Sequence, residues 1–138
     1  MYGTTTVMVE EVHPAPYAQR IVTRHHTLAA DQPEDHDGYN TGPAPYDLLC
    51  AALGTCTNQT LRMYATRKGW PLQHVQTTVH YTKTTGPAGE IRDTFTRTIT
   101  LTAPTLTEDQ RHRLLEIAAK CPVGRTLQGS ASISDAMA

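Results

Sequence analysis

Cys50, Cys56 and Cys121 are the side chains of this sequence best suited to covalent chemistry. A thiolate is a nucleophile and a soft metal ligand, and two thiols brought together can cycle between reduced and disulfide forms. Cys56 and Cys121 stand 65 residues apart, each at an expected helix boundary and each beside small or polar neighbours. Cys50 differs, being flanked by Leu49 and Ala51 in the most apolar stretch. At 3.6 residues per turn, Cys50 and Cys56 diverge by about 120° on one helix, so they are expected to face different surroundings. No CxxC pair occurs, which excludes a thioredoxin-like motif, and the seven histidines are too scattered for a zinc site. The fragment Asp35-x-Asp37-Gly38 begins like a calcium loop but lacks the ligand series and the distal glutamate. A solvated loop without metal is the expectation there. Residue types alone leave a second reading open, in which all three thiols are simply small buried hydrophobes.

The element that must position these groups is the stretch 42–71, GPAPYDLLCAALGTCTNQTLRMYATRKGWP. Pro45 suits the first turn of a helix, where its missing N–H would be unpaired anyway. From Tyr46 to Cys56 only Asp47 is charged, and the rest is apolar or small on nearly every face. Such a helix is expected to be buried on more than one side. Residues 57–68 are amphipathic, Arg67 and Lys68 suit the last-turn carbonyls, and Gly69 with Pro71 ends the run. Gly54 in the middle weakens a continuous helix by about 1 kcal/mol. A kink or two consecutive helices is therefore expected, with Thr55 and Cys56 at the join and freed N–H groups there to favour a thiolate.

Flanking segments read as strands and one more helix. Residues 4–12 and 17–30 alternate, split by His13-Pro14-Ala15-Pro16, and the second run places Arg20, Val22 and Arg24 on one side. Residues 31–41 form a polar loop. Val75, Thr77, Val79 and Tyr81 then share a face, Gly86-Pro87-Ala88-Gly89 turns the chain, and Ile91, Phe95, Ile99 and Leu101 line one side of the return strand. Five threonines and Arg92 stand opposite, giving a two-stranded ribbon with a polar outer face. Thr107 and Gln110 form a capping-box pattern with Leu106 as its staple. Leu114, Ala118 and Cys121 are spaced to share a face, Pro122 closes the helix, and Arg125 and Leu127 lie in a short connection. Ala131 and Ile133 suggest a last strand. The order ββ–α(α)–ββ–α–β is an α+β pattern. One small sheet would leave the central helix partly uncovered, and a second subunit would cover it.

Bulk properties narrow the class. A length of 138 residues fits a single domain, residues 1–138, with a core of its own. A net charge of −1 with interspersed signs builds no basic face, which argues against nucleic acid or an anionic membrane as partner. No apolar run approaches the roughly 20 residues that span a bilayer, and the first residues lack a signal-peptide pattern. A cytoplasmic location is the expectation. An odd, scattered set of cysteines fits thiol chemistry or packing better than a secreted disulfide framework.

Two long segments, GPAPYDLLCAALGTCTNQTLRMYATRKGW and LTEDQRHRLLEIAAKCPVGRTL, resemble the OsmC/Ohr family of osmotically inducible and organic-hydroperoxide-resistance proteins, its OsmC-like branch most of all. The resemblance runs from about Arg24 to Leu127 and carries both motifs in the family's order. It implies an OsmC-like fold of antiparallel sheets around long central helices, in an intertwined homodimer with sites at the subunit interface. It also implies a thiol-dependent peroxidase acting on organic hydroperoxides, with no cofactor. Cys56 matches the peroxidatic cysteine and Cys121 the resolving one, and a lipoyl-type dithiol is the implied reductant. In the family an arginine held by a glutamate supports the thiolate. The glutamate column is Tyr46 here, leaving Asp47 as the nearest acid, and Arg24 or Arg20 is the expected arginine. Gly124 stands where the OsmC-like branch often has histidine. The alternative implied by the missing glutamate is a protein that binds a small apolar or lipoyl-type ligand without turnover.

Overall fold

The computed structural model, which describes residues 3–129 and 131–138, has two antiparallel sheets and three α-helices. The order is β1 (Met8–Glu11), β2 (Gln19–Val22), β3 (Thr27–Ala30), a 3₁₀ turn (Glu34–His36), α1 (Pro45–Lys68), β4 (His74–Thr85), β5 (Ile91–Thr102), α2 (Glu108–Ala118) and α3 (Pro122–Gln128). The α+β class follows from the sequence pattern, and the element order differs from it at three places. The chain forms two compact units, Met1–Leu49 and Cys50–Ala138. Among the described residues no helix is long and apolar enough to cross a membrane.

In the first unit β1, β2 and β3 form one antiparallel sheet, with Met8 opposite Val22 and Gln19 opposite Ala30. The expected strand over 17–30 is two strands, and Arg24 stands in the turn between them. The break needs no glycine. Thr23 Oγ1 accepts the His26 N–H at 3.0 Å, and the Thr23 N–H reaches the His26 carbonyl at 2.8 Å. A threonine side chain thus supplies the turn's bonds from within the run. Arg20 faces Glu10 across the sheet and forms an ion pair with it.

The polar loop after β3 is tied down by one buried acid. Asp31 Oδ2 accepts from the Thr41 hydroxyl at 2.7 Å and the Thr41 N–H at 3.1 Å, while Oδ1 accepts the Gln32 N–H at 2.7 Å. The Thr41 hydroxyl first, and then the backbone donors, hold the Asp31 carboxyl below the ordinary carboxylate range, against burial acting the other way. A carboxylate depressed in the folded state stabilises the fold above its unfolded value, and that contribution is lost as pH falls through the folded value. Asp31→Asn should therefore lower the melting temperature at neutral pH and shrink the difference between neutral and strongly acidic melts. Thermal melts of both proteins at the two pH values check this.

In the second unit β4 and β5 pair along their whole length, from His74 opposite Thr102 to Thr85 opposite Ile91. The register puts the threonines of β5 outward and Phe95, Ile99 and Leu101 inward, as the alternation requires. Helix α1 covers the inner face and runs unbroken through Gly54, so the expected kink is absent. A Cβ built on Gly54 would stand 3.4 Å from Val79 Cγ2. The bare backbone lies directly against β4, and that packing offsets the loss of helix propensity. The helix ends as its sequence demands. Gly69 takes φ +70°, its N–H reaches Thr66 O, and Trp70 N–H reaches Ala65 O, which is a Schellman stop.

Thr107 and Gln110 exchange both capping-box bonds at the start of α2. Leu61, Ala65, Leu72, Leu106, Leu114 and Ile117 then close the main core. Two further expectations fail after α2. Pro122 opens α3 instead of merely closing α2, because proline fits the first helical turn as well as it ends a preceding one. Residues 131–138 are irregular, so no last strand forms at Ala131 and Ile133.

Candidate active site

One face of α1 carries Leu53, Thr57, Leu61 and Ala65 at fourfold spacing toward the protein interior, with Cys56 beside them. The unbroken helix leaves Cys56 in mid-helix, without the freed N–H groups expected at a join. Its side chain is nevertheless buried, at 5 % exposure. Cys121 arrives from the other direction. It is the N-cap of α3, fully buried, and its Sγ accepts the Gly124 N–H at 3.2 Å. Cys56, Cys121 and Leu53 form one buried cluster, walled by Val79, Phe95 and Val123. The fold therefore gathers the two thiols that are remote in sequence.

Polar groups converge on the Cys121 side of this cluster. Arg97, on the inner face of β5, directs Nη1 to the Ala118 carbonyl at 2.8 Å, to Thr57 Oγ1 at 3.1 Å and to Cys121 Sγ at 3.8 Å. Ala118 is the last residue of α2, so the guanidinium also sits where a cation complements a helix C-terminus. Thr57 donates to the Leu53 carbonyl at 2.7 Å, and its hydroxyl lies 3.8 Å from Cys121 Sγ. Gly124 makes the close packing possible. A Cβ there would meet Cys121 Sγ at 3.2 Å, Leu53 Cδ1 at 3.5 Å and Arg97 Nη1 at 3.8 Å. Beside the group opens a cleft of about 320 Å³, with Leu53, Phe95 and Leu127 as apolar wall and Asp93, Arg97 and Gln128 as polar wall. The site thus holds two thiols in one buried cluster, with a guanidinium beside one of them.

Of the remaining expected residues, Arg24 and Asp47 belong to the first unit. Arg24 is exposed in the β2–β3 turn, along a shallow groove with Thr5, Met8, Val22 and His26. Asp47 is exposed in the first turn of α1, where its Oδ2 accepts the Ala44 N–H at 2.9 Å, half of a capping box. Cys50 is half-buried and lines a different groove, with Gly54, Asn58 and Thr77, as the helical divergence from Cys56 requires. Met63 is 60 % exposed and lines a separate groove with Asn58, Gln59, Arg62 and Val75. Sequence reasoning passed over Arg97 and Thr57. The signal for Arg97 was present, since its odd position puts a charge in the row of Ile91, Phe95, Ile99 and Leu101.

The sequence model of the family described as OsmC-like protein matches residues 36–134. No curated protein sequence matches the chain. Among solved structures, the chain is similar to an OsmC-like protein from Mycoplasma pneumoniae, with a TM-score of 0.72 at 18% identity over 94% of this chain and 90% of that one. It is also similar to an organic hydroperoxide resistance protein OsmC from Legionella pneumophila, with a TM-score of 0.70 at 17% identity over 94% of this chain and 92% of that one. The organic hydroperoxide resistance protein OhrB of Bacillus subtilis gives a TM-score of 0.64 at 18% identity, over 92% of each chain. At these identities the structures establish the shared fold.

Proposed function

The chain belongs to the OsmC-like protein family, and from that premise we propose that it is a thiol-dependent peroxidase that reduces organic hydroperoxides through Cys56 and Cys121. The observation that carries the reading is the shared buried cluster of two thiols that lie 65 residues apart in sequence. The named activity of the Legionella and Bacillus relatives, organic hydroperoxide resistance, supports the substrate class.

The Cys56 thiolate attacks the terminal peroxide oxygen, the O–O bond breaks, and the alkoxide takes a proton and leaves as alcohol. Cys56 is then a sulfenic acid. The Cys121 sulfur attacks the Cys56 sulfur, the S–O bond breaks, and the hydroxide takes a proton and leaves as water. A dithiol reductant of lipoyl type exchanges with the resulting disulfide and restores both thiols. The apolar wall of Leu53, Phe95 and Leu127 favours an alkyl peroxide, because an alkyl group gains burial that hydrogen peroxide cannot. A homodimer belongs to the same proposal. Its support is the exposed Met63 on α1 and the groove beside it, an apolar surface that a second copy would cover.

Treating the reduced protein with a stoichiometric organic hydroperoxide and measuring its intact mass tests the reading. The expected product has lost two hydrogens, and peptide mapping places the bridge between Cys56 and Cys121. A chain that keeps three free thiols overturns the peroxidase reading. Raised thermal stability with a lipoyl-type ligand in that reduced chain would identify it as a binding protein.

A further inference from the structure

We propose that Arg97 is the positioning residue for the second thiol, holding Cys121 as an anion aimed into the cluster and so setting how long the Cys56 sulfenic acid survives. This rests on the peroxidase reading above and assigns a role to a residue outside the sequence motifs that carry the family resemblance.

The geometry carries the assignment. A guanidinium stands in the inward row of β5, between Phe95 and Ile99, and its Nη1 lies within reach of three acceptors: Ala118 O at 2.8 Å, Thr57 Oγ1 at 3.1 Å and Cys121 Sγ at 3.8 Å. Nη1 carries two hydrogens. The carbonyl takes one, and the other is shared between the hydroxyl and the sulfur. The Ala118 and Thr57 bonds fix the group from two helices, so its charge stays beside Cys121 whatever the cleft holds. The Gly124 N–H meets the same sulfur at 3.2 Å. Donors and a fixed cation around a thiol favour its charged form. That form is what the disulfide step requires. The Cys121 sulfur must give an electron pair to the Cys56 sulfur while the S–O bond breaks and hydroxide, protonated to water, departs.

Arg97→Gln and Arg97→Lys in the full chain test this, each checked for folding by a thermal melt. After a stoichiometric dose of cumene hydroperoxide with dimedone present, wild type should form the disulfide with little trapped sulfenic acid. Arg97→Gln should form it roughly tenfold more slowly, with a dimedone adduct accumulating on Cys56, while Arg97→Lys recovers most of the rate because the charge is kept. A wild-type disulfide rate in Arg97→Gln, or equal slowing in both variants, overturns the assignment.

A second readout does not depend on peroxide. In a Cys50→Ser, Cys56→Ser background the ultraviolet thiolate band of Cys121 should shrink with Arg97→Gln and persist with Arg97→Lys. An unchanged band with Arg97→Gln overturns the role of the charge. If Arg97→Gln does not fold, loss of the band in folded Arg97→Lys overturns it as well, and its persistence supports it. Should wild type react with no peroxide, the peroxidase reading fails by itself, and the thiolate band still decides whether Arg97 charges Cys121.

Discussion

Cys56→Ser should reduce turnover of an organic hydroperoxide with a dithiol reductant to the rate of the two reagents without protein. A serine hydroxyl cannot be oxidised to the sulfenic level, so neither the first step nor the bridge that follows it can occur. Cys121→Ser should behave differently. It keeps the first step, loses the bridge, and leaves a Cys56 sulfenic acid that dimedone captures in nearly full yield. Because the two sulfurs share one buried cluster, the contrast between the variants is diagnostic. A Cys56→Ser protein with substantial turnover would move the nucleophile to another residue. Coupled peroxide-consumption assays and intact mass read both results.

Leu114→Ala should cause a large loss of stability. Leu114 has no exposed surface and lies in the core that joins α1, α2 and the β4–β5 ribbon. Removing such a side chain costs about 2–5 kcal/mol, from lost transfer energy and the cavity left behind. Domains are stable by only about 5–15 kcal/mol in total. A loss near 3 kcal/mol would lower the melting temperature by roughly 10 °C in a chain of this size. Calorimetry or circular dichroism checks it. A shift of only a degree or two would mean that the neighbours collapse into the vacated space.

The parts of the fold legible in the sequence are those governed by neighbours along the chain. The capping box of Thr107 and Gln110, the Gly69 stop and the ribbon register each depend on a few adjacent residues, and each forms as its local chemistry dictates. The misread parts depend on what the chain meets later. Gly54 signals a break by propensity alone, yet β4 packs against it and the helix continues. Pro122 obeys the same steric rule whether it ends one helix or starts the next, and only the approach of Cys121 as N-cap distinguishes the two. Of the candidate site, the sequence motifs single out Cys56 and Cys121, and the fold buries the two in one cluster. Thr57 was not legible, because a threonine in a helix carries no local mark of purpose, whereas Arg97 was marked by its place in the strand's inward row.

The sulfur at position 121 is also a structural atom, since it accepts the amide that begins the last helix. The choice of replacement is therefore not neutral. Serine, a favoured residue at that place in a helix, would leave an oxygen for the Gly124 amide, whereas alanine would leave the amide bare at a cost of about 1 kcal/mol. Alanine alters scaffold and reagent together, and serine alters chiefly the reagent.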